Sequence, residues 1–268
     1  MRKLIITVLV VVVLAVAVDF GAASLAEHTV ATQLRQQLRL PSDPSVRING
    51  FPFLTQALAG RYSAINVQAS GLSVGSLHDL DVEATLHDVD APLSEVTSGN
   101  LQSVRVAQVD GGVRIKEADL GQAIGIENLR IQQPSEQELK ELLLPVTASR
   151  GTSAVNSARD NRAPVRMVAT INFAGQRTEV IGLGVIELTG GLVRITTSDV
   201  RLSPDGVGAV TLPRGIRQSL LKRLSVDVKP GGLPFAVTPT RVRVETGSVV
   251  VEGTATNVTL RQSAPVAG

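Results

Sequence analysis

The period of the apolar positions changes several times along the chain, and each change predicts an element. Leu4 to Val18 is an unbroken apolar run behind Arg2 and Lys3. Glu27 to Arg39 instead shows a stripe: Val30, Leu34 and Leu38 recur at i, i+4 and i+8, which predicts a helix. "PSDPS" ends it, because two prolines cannot continue a helix. Within "RINGFPFLTQALAGRYSAINVQASGL", Gly50 and Pro52 set a bend, "FLTQALAG" makes one or two helical turns, and "YSAINVQA" opens a strand. Leu80, Val82, Ala84 and Leu86 then alternate with Asp81, Glu83, Thr85 and His87, the pattern of a strand with one wet face. "VRVAQVDGGVRI" reads as a hairpin turning at Asp110-Gly111-Gly112.

"PSEQELKELLLP" is a helix with a capping box between Ser135 and Glu138, closed by Pro145. Residues 146–164 lack any period and predict a mobile loop. Beyond them "VRMVATINFAG", "QRTEVIGLGVIELTGG" and "LVRITTSDVRLS" predict an antiparallel meander joined by glycine turns. "LPRGIRQSLLKRL" is an amphipathic helix with Ile216, Leu220 and Leu224 on one stripe. The C-terminal third predicts two or three more strands. The class is therefore α+β: a large curled, mostly antiparallel sheet wrapped against a few helices. One domain is expected over 27–262, with a tail at 263–268. There is no exact repeat, but Gly50-Phe51-Pro52-Phe53 is echoed by Gly232-Leu233-Pro234-Phe235.

Composition narrows the chemistry. Aromatics are 2% of 268 residues while aliphatics are plentiful, so the core is aliphatic. There is no cysteine, hence no disulfide and no thiolate chemistry, and three histidines argue against a histidine-built metal site. Apart from Arg2 and Lys3, basic and acidic residues balance at 24 each, which is not the footprint of a nucleic-acid binder. The basic start and apolar run of residues 1–26 have two readings: a secretory signal, with Ala15 and Ala17 as a cleavage site, or an uncleaved anchor. Both export the body. A cysteine-free exported chain suggests a bacterial envelope protein.

Catalytic motifs find little support. "GLSVG" at Gly71–Gly75 matches a G-x-S-x-G elbow with Ser73 as nucleophile, but that motif needs a strand turning into a helix, and a strand follows. No histidine follows His87 to complete a triad. The His78-Asp79 and His87-Asp88 pairs read as solvated positions rather than metal ligands. No cofactor motif is present. What remains is apolar strand surface with few helices to cover it, which suits an aliphatic tunnel for acyl chains as well as an ordinary core. The predicted helix at 213–224 carries Arg214, Arg217, Lys222 and Arg223, a basic face suited to an anionic membrane surface.

The export segment, "LRLPSDPSVRINGFPFLTQALAGRYSAINVQASGL", "DLDVEATLHDVDAPLSE" and "GGLPFAVTPTRVRVETGSVVVEGTATNV" together resemble the actinobacterial LmeA-like phospholipid-binding family. The resemblance covers roughly residues 25–262 and is most specific at G-F-P-F-L-T-Q. It implies a fold related to tubular lipid-binding domains, binding of phospholipids including phosphoinositides, and a place in mannan elongation of envelope lipoglycans. The expected ligand contacts are Phe51, Phe53, Leu54, Tyr62 and Phe235 at the mouth or wall of a tunnel. Arg47 and Arg61 are expected near the headgroup, with Arg214, Arg217 and Lys222 at the membrane. The alternatives are a non-catalytic scaffold that recruits an envelope glycosyltransferase and, third, a hydrolase using Ser73.

Overall fold

The structure, a computed structural model, describes residues 1–98, 104–126, 128–147, 161–173, 176–189, 192–204, 215, 218, 226–228 and 238–260. It opens with a single unbroken helix, α1 (Arg2–Leu38, 37 residues). The apolar run and the stripe expected from Glu27 onward are thus one element. Nothing in the intervening "DFGAASLA" stops it, because Asp19 finds partners off the helix and Gly21 faces open space. Arg39 then adopts a left-handed conformation (φ 54°), the Leu40 N–H bonds the Arg35 carbonyl, and Pro41 prevents a further turn.

Two antiparallel sheets follow, where one large sheet was expected. The first has six strands in the order β1 (Ser45–Asn49), β2 (Arg61–Val74), β3 (Leu77–Asp90), β4 (Val104–Lys116), β11 (Ser248–Leu260) and β10 (Thr238–Glu245). The second runs β5 (Arg130–Gln132), β6 (Arg162–Phe173), β7 (Gln176–Thr189), β8 (Leu192–Pro204) and β9 (Val226–Val228). The α+β class and the meander β6–β7–β8 stand, and neither sheet closes into a barrel. The sheets meet in an aliphatic cluster that includes Leu80, Ile115 and Val249 from the first and Val165, Met167 and Ile186 from the second. A separate cluster packs Phe53, Tyr62, Val89, Val106 and Val258 beneath Ala22, Ala23, Ala26 and Val30 of α1.

Four short helices complete the described elements: α2 (Phe53–Ala59), α3 (Leu93–Ser98), α4 (Glu117–Ile124) and α5 (Glu136–Thr147). Two carboxylates, Asp119 buried and Glu27 half-buried, tie helices to the sheets. Asp119 of α4 accepts the backbone N–H of His78 at 2.8 Å and of Asp79 at 3.3 Å, fixing the start of β3. Glu27 of α1 accepts the Ile48 N–H at 2.8 Å and holds the edge strand β1.

Two local expectations fail for identifiable reasons. Asp110-Gly111-Gly112 is the middle of one straight strand, not a turn: Gly111 lies opposite Ala84 on one side and Gly253 on the other. A β-carbon at Gly111 would come 3.2 Å from the Glu83 carbonyl oxygen, so the glycine serves close strand approach. Pro145 does not close α5, which runs on to Thr147, although the Ser135–Glu138 capping box forms in both directions. Most of the predicted loop at 146–164 and of the helix at 213–224 lies outside the described residues. Within the latter, Gly215 and Gln218 are helical.

Candidate functional site

The site grows from a single acidic residue in the long apolar helix. Asp19 is buried (5% exposed), and its two carboxylate oxygens accept the backbone N–H groups of Phe53 and Leu54, both at 2.8 Å. These are the first donors of α2, which have no partner within their own helix. Pro52 at the N-cap has no side chain with which to satisfy them. Asp19 therefore caps α2 from another element and fixes where the Gly50–Phe53 bend sits.

The next residue makes the second contact. Phe20 stacks on Phe51, with ring centroids 6.1 Å apart and planes 25° apart. Phe53 points the opposite way and is buried against Tyr62, centroids 6.3 Å apart. The bend thus sends one phenylalanine inward and leaves the other 62% exposed.

Phe51 and Tyr62 line an open cleft of about 710 Å³. Its back wall is β4, flanked by β3 and β11. Asp88 (φ 48°) and Asn257 (φ 53°) lie on either side of Ala107, between the ladder pairs His87–Gln108 and Val89–Val106 on one side and Thr256–Gln108 and Val258–Val106 on the other. Asp and Asn tolerate the left-handed region better than other side chains. Both strands flanking β4 are therefore locally reshaped at one level of the sheet, where the cleft lies.

The cleft is apolar at Phe51, Val89, Val106 and Val258 and polar around them. Two of its lining residues carry buried polar atoms with no protein partner, the Tyr62 hydroxyl and Gln56 Nε2. Buried polar groups are normally bonded, so each such atom asks for water or a ligand. Gln56 is held in place because its Oε1 accepts the Ser63 backbone N–H at 3.0 Å. Burial also pushes the Tyr62 phenol above its ordinary value, so it stays a neutral donor through physiological pH. Two guanidinium side chains, Arg61 and Arg105, line the cleft as well. Arg61 is highly exposed and only 3.9 Å from Asp90, a solvent-screened contact of little energy.

The sequence profile of the LmeA-like phospholipid-binding family matches residues 17–254, which is most of the chain. The chain belongs to the LmeA-like phospholipid-binding family. It is a lipid-binding protein on that ground. The matched segment begins just before Asp19 and Phe20, so the LmeA-like region takes in the helix turn that organises the cleft. No curated protein and no solved structure matches the chain.

The structure brings Phe51, Tyr62 and Arg61 of the expected site residues to this cleft. Phe53 supports it from the core. Leu54 lies on α2 beside Asp19, 38% exposed. Arg47 sits on the exposed face of edge strand β1, apart from the cleft lining. Phe235, Arg214, Arg217 and Lys222 lie outside the described residues. Ser73 occupies a β2–β3 hairpin, where its hydroxyl donates to the His78 carbonyl at 3.2 Å, and the strand-to-helix turn that an elbow requires is not there. Among the described residues no cluster of acidic or histidine side chains forms a metal site. The sequence reading missed Asp19, Phe20, Gln56, Arg105, Asp88 and Asn257. The first two had a signal: a lone acid followed by a phenylalanine at the end of an apolar run.

Proposed function

We propose that the chain is an exported, non-catalytic envelope protein that stays anchored by α1 and holds a phospholipid in the cleft beside Phe51 and Tyr62. The observation that carries this reading is the pair of unpartnered buried donors, Tyr62 Oη–H and Gln56 Nε2–H, in the mixed apolar and polar lining of a cleft in a phospholipid-binding family member. A glycerophospholipid matches that chemistry. Its ester and phosphate oxygens accept from Tyr62, Gln56 and the guanidinium groups of Arg61 and Arg105. Its acyl chains lie along Phe51, Val106 and Val258 and continue toward the aliphatic cluster under α1. Burying five methylenes contributes about 4 kcal/mol at about 0.8 kcal/mol each. The cleft volume falls within the usual range for small-molecule sites, about 300–1,000 Å³.

The continuity of α1 supports its retention as an anchor, because one unbroken helix joins the apolar run to a second half packed on the domain. Asp19, Ala22, Ala23, Ala26 and Ala31 are part of the folded body, whereas residues before Ala15 are all exposed. The helix is long and apolar enough to cross a membrane. Arg2 and Lys3 precede the run, which by the positive-inside tendency leaves the domain on the outer side. Selection of phosphoinositides and support of mannan elongation rest on the family resemblance, not on the cleft, and recruitment of a glycosyltransferase belongs to the alternative scaffold reading.

Native mass spectrometry of the full chain released from detergent tests the proposal. The wild type carries phospholipid at one per chain, and Ala107→Trp, which fills the cleft from an exposed position, carries none. Lipid-free wild type that also fails to take up added phospholipid would overturn it.

A further inference from the structure

We infer that the end of the domain bearing α2 and the start of α3 is immersed in the surface of the bilayer that α1 enters, so that the cleft opens at the depth of the lipid headgroups. Three observations point there. The first is a deficit of length. Leu4–Val18 spans about 22 Å at about 1.5 Å per residue, while a hydrocarbon core is about 30 Å thick. Making up the difference along the same unbroken helix takes about five more residues, which carries Phe20 and its stacked partner Phe51 into the bilayer. The second is the apolar surface waiting at that level. Leu58 is 82% exposed and Phe51 62%, and Leu54 follows on the same short helix. Leu58 and Leu93 line one concavity together, so α2 and α3 present their leucines at one end of the domain. The third is Asp19. A free carboxylate at this depth would oppose insertion, but Asp19 faces the protein and spends both oxygens on the α2 backbone.

The partner is thus the acyl–headgroup boundary of a bilayer, bound through apolar side chains. The charges nearby do not favour an anionic surface in particular, since Arg61 and Arg105 are balanced by Asp88 and Asp90 at the same rim. Docking of this end is therefore expected on zwitterionic and anionic membranes alike. This inference deepens the anchored-cleft reading but stands apart from whether the cleft is occupied.

The chain has no tryptophan, so single-tryptophan variants report their own depth. Phe51→Trp and Leu58→Trp replace exposed side chains, and Ser76→Trp marks the exposed β2–β3 turn at the far end of β2 from Arg61. Each full-length variant is reconstituted in phosphatidylcholine vesicles, with and without phosphatidylglycerol, containing lipids brominated at defined acyl positions. Phe51→Trp and Leu58→Trp are expected to emit at shorter wavelength and to be quenched several-fold more than Ser76→Trp in both membranes. Equal solvent exposure at all three positions would overturn the inference, as would quenching that appears only with the anionic lipid. A lipid-loaded protein by native mass spectrometry alongside unquenched Leu58→Trp would sink the docking alone and leave the cleft reading intact.

Discussion

Asp19→Ala is the substitution that most directly tests how the cleft is built. It removes the acceptor for two backbone N–H groups at the start of α2, both 2.8 Å away and both in a buried or half-buried setting. Hydrogen bonds to a charged partner contribute about 1.5–3 kcal/mol each. Part of that is offset in the variant, because a carboxylate no longer has to be desolvated. The balance is a destabilisation of about 2–4 kcal/mol, above the single-bond cost of losing an N-cap, about 0.5–2 kcal/mol. For a domain of this size that lowers the unfolding midpoint by about 4–16 °C, at about 2–4 °C per kcal/mol. Asp19→Asn keeps one carbonyl acceptor and falls between. The assay is thermal unfolding by circular dichroism in detergent, paired with hydrogen exchange at the Phe53 and Leu54 amides. Faster exchange at those two amides with a lowered midpoint is expected. An unchanged midpoint with unchanged protection at both amides would refute the capping argument.

Further outcomes follow from other parts of the molecule. Tyr62 is the lone tyrosine and there is no tryptophan, so phenolate absorbance titrates it cleanly, and its midpoint should lie above its ordinary value of 10.0. Because the folded value is raised, its contribution to stability is complete below that ordinary value and is lost as the pH rises past it. Tyr62→Phe should flatten this alkaline loss, leave the lipid-free protein no less stable, and weaken phospholipid retention. Gly184→Ala places a β-carbon 2.5 Å from the Thr196 carbonyl oxygen at the β7–β8 register shift, and should cost about 1–3 kcal/mol in denaturant unfolding. Burial raises the Glu138 carboxyl, but the Ser135 N–H and hydroxyl with Arg166 and Arg201 more than offset it, so its value lies below the ordinary 4.5. It thus stabilises the fold above that pH, and the benefit fades as the pH falls below it. Glu138→Gln should show a shallower acid dependence than wild type.

The strand through Leu80–His87 was legible because its apolar residues recur with a period of two, although burial there is graded rather than alternating: Leu80 is buried, Glu83 exposed and the others half-buried. The Ser135–Glu138 cap was legible because both partners lie within one turn. Gly111 was not, since a glycine pair marks a turn and a close strand approach alike, and only the neighbouring Ala84 and Gly253 decide between them. The split into two sheets also depends on pairings between distant segments, such as β4 with β11, which local pattern does not carry. For the site, an aromatic cluster at Phe51, Phe53 and Tyr62 was visible. Its division into one exposed ring and two buried ones was not, because that depends on Asp19 and Phe20 more than thirty positions earlier. The left-handed Asp88 and Asn257 share a level only through the β3–β4–β11 register.

The central claim is that a phospholipid occupies the cleft in the wall of β4. Photo-crosslinking of the full chain in membranes containing a phospholipid with an acyl-chain diazirine tests it most directly. Adducts are expected on the β4 segment around Val106 and the β11 segment around Val258, competed by unlabelled phospholipid and lost in Ala107→Trp, whose α1 and α2 adducts persist. Adducts confined to α1 and α2 in the wild type would contradict the claim.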